Sequence, residues 1–180
     1  MKKPVISLLA LLFSLSHSAI ADEFTVAVGV FNFAEAGADI QASYRVDQSH
    51  WQYGYRYVSW TDTFHDPYTG NAHSKTTETL TGPVVNYLFR NESRHSAYVG
   101  VSLLNWTRTE TPLLVVAPSD TQSTTDLYFG GGYMGRFGSA GYYNAGMYLS
   151  PTAELKTQTA ISSSEQSGNF DIQLQVGLTW

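Results

Sequence analysis

The segment that most restricts the fold is the last one, Phe170 to Trp180, FDIQLQVGLTW. Phe170, Ile172, Leu174, Val176, Leu178 and Trp180 are apolar, and Asp171, Gln173, Gln175, Gly177 and Thr179 stand between them. A period of two belongs to a β-strand with one apolar and one polar face, and it excludes an amphipathic helix.

The same alternation recurs along the chain. Eight strands are predicted, with cores at Phe24 to Phe33, Ala38 to Val46, Trp51 to Trp60, Thr76 to Phe89, Ser96 to Thr107, Thr124 to Phe137, Gly141 to Ser150 and Asn169 to Trp180. Links after the second, fourth and sixth strands are short. Those after the third, fifth and seventh are long: Thr61 to Lys75, Arg108 to Ser123 and roughly Pro151 to Gly168. Twelve tyrosines, nine phenylalanines and four tryptophans gather at strand ends, as aromatic girdles at two water interfaces would. The expected fold is an all-β, eight-stranded antiparallel up-and-down transmembrane β-barrel. A lipocalin-like barrel would have as many strands but would turn its apolar face inward.

The first residues supply an address. Lys2 and Lys3, an apolar run from Val5 to Leu15, and Ala19-Ile20-Ala21 predict a cleaved signal peptide over 1–21, with a barrel domain over 22–180. Loss of the two lysines lowers the 10 basic residues to 8 against 15 acidic ones, so the net charge of −5 becomes −7. Such a chain has no basic stripe for nucleic acid. With no cysteine, disulfides and thiolate metal sites are excluded.

These features resemble the small outer-membrane β-barrels of Gram-negative bacteria, the broad group of OmpX-like proteins and OmpA transmembrane domains. The resemblance covers the whole mature chain. It implies that the terminal strand, Phe170 to Trp180, is read by the barrel-assembly machinery and then closes the barrel against the first strand. It also implies outer-membrane lipids and lipopolysaccharide as surroundings, and a monomer.

The polar strand faces should then line the lumen, where Arg45, Arg56, Asp126, Arg136 and Asp171 can pair, joined by Asp39 and Glu78. Buried charges are costly unless matched, so a mixed set predicts a plugged interior rather than a wide pore. Gly130, Gly131, Gly132 and Gly135 would leave room for inward side chains. Pro83 removes a ladder donor, which predicts a bulge or a place near the outer rim.

The long loops are where function is expected. Leu113, Leu114, Val115 and Val116 form an apolar run where solvent should be: a contact for an extracellular or envelope partner, a segment tucked into the mouth, or an extension of the fifth strand beyond the bilayer. His65, His73, Ser119 and Asp120 supply nucleophile and base types for a lipid A or phospholipid acyl enzyme, the alternative reading. A narrow solute channel is a third. His50 and His95, in short turns, are expected to face solvent. No metal site and no cofactor is predicted, and the leading expectation is a non-enzymatic barrel with a structural or surface-interaction role.

Overall fold

The computed structural model describes residues 23–30, 37–90, 94–113, 118–158 and 163–180, with 153–158 and 163–169 described by backbone alone. The leader and Leu114, Val115 and Val116 lie outside the described residues. Eight strands follow one another: β1 (Glu23–Gly29), β2 (Ala38–Arg45), β3 (Trp51–His65), β4 (Ala72–Leu88), β5 (His95–Pro112), β6 (Asp120–Phe137), β7 (Gly141–Gln158) and β8 (Ser163–Thr179). Each pairs antiparallel with its neighbours, and β1 pairs with β8 to close the barrel.

The apolar face points outward. Ile40, Tyr53, Tyr55, Tyr57, Leu127, Phe129, Ile172 and Leu178 are all exposed, whereas Arg56, Asp39, Gln52, Asn86, Asn144 and Gln175 are buried. This inversion of a soluble core is stable only where the outer face meets hydrocarbon and every backbone group is paired within the closed sheet. The outward apolar residues of β8 run from Phe170 to Trp180, eleven residues. A strand of about 9–11 residues, tilted, crosses a bilayer.

Short turns join β2 to β3 and β6 to β7, and the left-handed residues Gln48 and Gly138 make those reversals. At the other rim the long connections expected from sequence are largely strand. β3 and β4 run to His65 and from Ala72, leaving a tip of only 66–71, where Gly70 is left-handed. The expectation of a loop over Thr61 to Lys75 is thus corrected. Beyond the bilayer both faces meet water, so hydrophobic alternation fades while β-branched threonines still favour the strand.

Pro83 also departs from expectation. It pairs with Tyr55 inside the apolar band, and the β4–β5 register is the same on either side of it, Thr81↔Asn105 and Val84↔Ser102. It leaves a local gap in the ladder, not a bulge. The register shifts that do occur lie at Phe64/His65 and between Ser150 and Glu154, where Pro151 sits in the unpaired stretch.

Candidate functional site

The lumen contains a closed ring of hydrogen bonds. Arg56 on β3 donates to Asp39 on β2 through Nε at 3.0 Å and Nη2 at 2.9 Å, and through Nη1 to Asp171 on β8. Gln175 donates to Asp39 at 3.1 Å and Gln173 to Asp171 at 3.2 Å. Asn144 on β7 donates to the side-chain oxygens of both glutamines, at 2.8 and 3.1 Å, and Tyr98 on β5 donates to Asn144 at 3.0 Å. The guanidinium is 1% exposed. Two carboxylates against one cation leave the ring formally at −1, held by donors from four further side chains.

A second chain lies beside it: Tyr148 donates to Asn86, Asn86 to Gln52 at 3.2 Å and Gln52 to Ser43 at 3.1 Å. Two large phenols fit into so narrow a barrel because glycines face them. A Cβ on Gly146 or Gly132 would meet the Tyr98 hydroxyl, and one on Gly100 would meet that of Tyr148. Gly130 and Gly132, the members of the β6 run on the polar face, therefore leave room for these rings.

Above the ring the lumen turns apolar. Val58, Leu80, Val84, Leu104 and Trp106 are buried inside the barrel with Trp60 packed against them. An interior that is polar throughout, as expected from sequence, is corrected here: the residues that alternate with outward threonines in β4 and β5 include leucines and a tryptophan. Trp106 Nε1 donates to Glu78 at 2.9 Å, and Arg108 lies 3.9 Å from the same carboxylate.

The five lumen charges grouped from sequence divide into three. Arg56 and Asp171 belong to the ring with Asp39. Arg45 and Arg136 pair instead with Glu23 at the short-turn rim, Arg136 donating through Nε at 3.0 Å. Asp126 stands apart, paired across the ladder with Leu104 and accepting from Thr152 at 2.9 Å. Strand spacing sets this: charges on one face sit at different heights, and only those sharing a level can meet. Glu23, which precedes the expected first strand, and Arg108, expected in a loop, were missed for lack of an alternation signal at element ends. A cavity of about 20 Å³ beside Glu23, Arg45, Arg94 and Tyr142 has room for about one water.

The candidate acyl-transfer residues do not converge. His73 sets Nδ1 3.2 Å from the Phe64 carbonyl, Ser119 pairs with Thr111 at 3.1 Å, and Asp120 accepts from Gln122 at 3.2 Å. His65 is exposed at the end of β3. In the tip, the amides of Thr69 and Tyr68 donate to Asp66 at 2.9 and 2.7 Å and hold its carboxyl below the ordinary value. Leu113 is exposed, and its amide donates to the His73 carbonyl at 2.8 Å. Among the described residues no three metal-ligating side chains gather.

His50 and His95 are not simply solvated, contrary to expectation. His50 stacks on Tyr87 at 5.2 Å and His95 on Tyr133 at 6.5 Å, within an aromatic belt that includes Trp51, Phe89 and Tyr143. At the seam Trp180 and Phe24 exchange backbone hydrogen bonds of 2.9 and 3.1 Å, with ring centroids 5.8 Å apart.

No protein-family model matches the sequence, and no curated protein matches it. Solved structures do. Ail, the attachment invasion locus protein of Yersinia pestis, in complex with the heparin analogue sucrose octasulfate, is 13% identical with a TM-score of 0.56, over 88% of this chain and 99% of that one. Neisserial surface protein A is 11% identical with a TM-score of 0.52, over 88% and 91%. The shared feature is the fold, that of small eight-stranded outer-membrane β-barrels.

Proposed function

We propose that this protein is exported by a leader cleaved after Ala21, inserted in the outer membrane through its terminal strand, and works by presenting its hairpins as an interaction surface while passing no solute. The filled lumen carries this reading. The Arg56 ring ties β2, β3, β7 and β8 across the interior, and the apolar group around Trp106 occupies the level above it. A barrel of eight strands has room for side chains or one small ligand, and the buried side chains of the ring and of the Trp106 group support the former. What remains accessible is the hairpins, whose two faces both meet water beyond the bilayer.

The bound sulfated sugar belongs to Ail. On the β3–β4 and β5–β6 hairpins of this chain Lys75 and Arg108 stand against Asp62, Asp66, Glu78, Glu110, Asp120 and Asp126, and Arg108 lies beside Glu78. That balance repels polyanions and favours neutral or cationic partners. His73 and Asp120 pair with groups other than Ser119, whose hydroxyl pairs with Thr111, so among the described residues the acyl-enzyme alternative has no hydrogen-bonded nucleophile and base. Exposed Leu113 adds an apolar contact for a partner to the same surface.

The test has two parts. Purified barrel at high load in a planar bilayer is expected to give no discrete conductance steps, and stepwise conductance would overturn the closed lumen. Cells presenting the barrel should adhere to protein- or glycan-coated surfaces more than cells presenting a form with the β3–β4 and β5–β6 hairpins cut back to tight turns. Equal adhesion, with both forms inserted, would overturn the surface role.

A further inference from the structure

The outward face of β3 to β6 changes character where the apolar band ends. Below stand Tyr57, Leu103 and Leu127; above, the strands carry hydroxyls in register across four strands. One row is Ser59↔Thr79↔Thr107↔Ser123, and the next is Thr61↔Thr77↔Thr109↔Thr121. Neighbouring hydroxyls touch: Thr61 and Thr77 at 3.1 Å, Thr109 and Thr121 at 3.1 Å, Thr107 to Ser123 at 3.3 Å. A lattice with about 4.8 Å between strands and about 6.8 Å along them is thereby held in place.

Its neighbour follows from continuity. The band below meets acyl chains, so the array on the same face of the same strands meets what stands above those chains in the same leaflet. From Asn105 to Thr111 the array climbs roughly 20 Å along β5, or about 15 Å above the band after tilt. A phospholipid head-group layer is only about 5–8 Å deep. In the outer membrane proposed above, whose outer leaflet carries glycolipid, the upper part reaches into a layer of saccharide, and the inference rests on that location.

Charge agrees. On this face the strands present Lys75 as the one ionic side chain among the described residues, while Asp62, Glu78, Arg108, Glu110, Asp120 and Asp126 fall on the opposite, inward-facing positions. A paired hydroxyl retains acceptor lone pairs, and Asn105 fixes the array at its lower edge, its amide donating to Ser123 and Thr125 and its carbonyl accepting from Thr107. Neutral donors and acceptors flanked by threonine methyls suit sugar hydroxyls and ring carbons, not phosphate. From this we infer that the β3–β6 hydroxyl face is a binding surface for the saccharide portion of the outer-leaflet glycolipid, in lateral contact with the barrel. The inference does not depend on what the hairpin tips contact.

The barrel is placed in phosphatidylcholine nanodiscs holding a small fraction of fluorescent lipopolysaccharide bearing its core saccharide, or of fluorescent lipid A, and energy transfer reports the lipid beside a label on the barrel. The protein should enrich the core-bearing lipid over lipid A by roughly 5- to 30-fold, the ratio given by one or two net hydrogen bonds. Thr77→Val, Thr79→Val, Thr107→Val and Thr109→Val together keep β-branching and remove four hydroxyls. That variant should fall to near equal enrichment, with its unboiled gel mobility unchanged. Equal enrichment by the unsubstituted protein overturns the inference without reference to any variant. So does a variant that retains the preference, or one whose sole change is in crosslinked self-association. Loss of cross-strand pairing alone would move stability in both lipids equally and leave the ratio in place.

Discussion

Replacing Arg56 by methionine tests what holds the barrel interior together. The side chain is 1% exposed and donates three hydrogen bonds to two carboxylates, Asp39 and Asp171, which are themselves buried. Methionine fills much the same length, so the change is chiefly electrostatic: two carboxylates stay inside the ring with only Gln173 and Gln175 donating to them. Breaking a buried pair by removing one partner costs about 3–5 kcal/mol, because the charge left behind is desolvated and unmatched. Arg56→Met should therefore lose stability in that range, read from urea unfolding of the vesicle-inserted barrel by tryptophan fluorescence and gel mobility. The decisive comparison is the neutral triple variant Asp39→Asn, Arg56→Met, Asp171→Asn. With no orphaned charge, its loss should be under about 2 kcal/mol, the scale of one or two neutral hydrogen bonds. A triple variant as unstable as the single one would refute the argument and assign the cost to lost packing.

Gly146→Ala should destabilise by about 1–3 kcal/mol in the same assay, and adding Tyr98→Leu should recover part of the loss, since the new methyl meets the Tyr98 hydroxyl; no recovery would place the clash elsewhere. Deleting Trp180 removes the hydrogen-bonded pair with Phe24. It should lower outer-membrane yield in cells severalfold while refolding in detergent persists, and unchanged yield would count against its role as an assembly signal. The Asp66 turn contributes order that is complete above the usual aspartate range and is lost as pH falls through the lowered folded value. Protection of the Tyr68 and Thr69 amides, taken relative to the intrinsic exchange rate at each pH, should thus persist near pH 5 and fall only in stronger acid, and Asp66→Asn should blunt that dependence.

The architecture was legible because it depends on local rules. Alternation in Phe170 to Trp180 and Trp51 to Trp60 determines which side chains share a face, and a closed sheet follows once both edges must be paired in hydrocarbon. Arg56 and Asp171 could be placed inside from that pattern alone. Other members of the interior were harder to read, because what a lumen residue touches depends on its height and on strands far away in sequence. Arg45 and Arg136 share a face class with Arg56, yet they meet Glu23. Tyr98 looks like an ordinary aromatic until Gly132 and Gly146, from two other strands, come opposite it.

By itself the sequence determined the number of strands, the face each side chain occupies and, through the apolar–polar contrast, which face meets lipid. Only the tertiary structure decided how far the strands climb past the membrane, which charges share a level and where the hydroxyl rows align. The physical reason is that alternation is a property of one strand, whereas level and register belong to pairs of strands. Thr79, Thr107 and Ser123 are separate polar residues in the chain, and only their shared rung in the closed sheet makes them one surface.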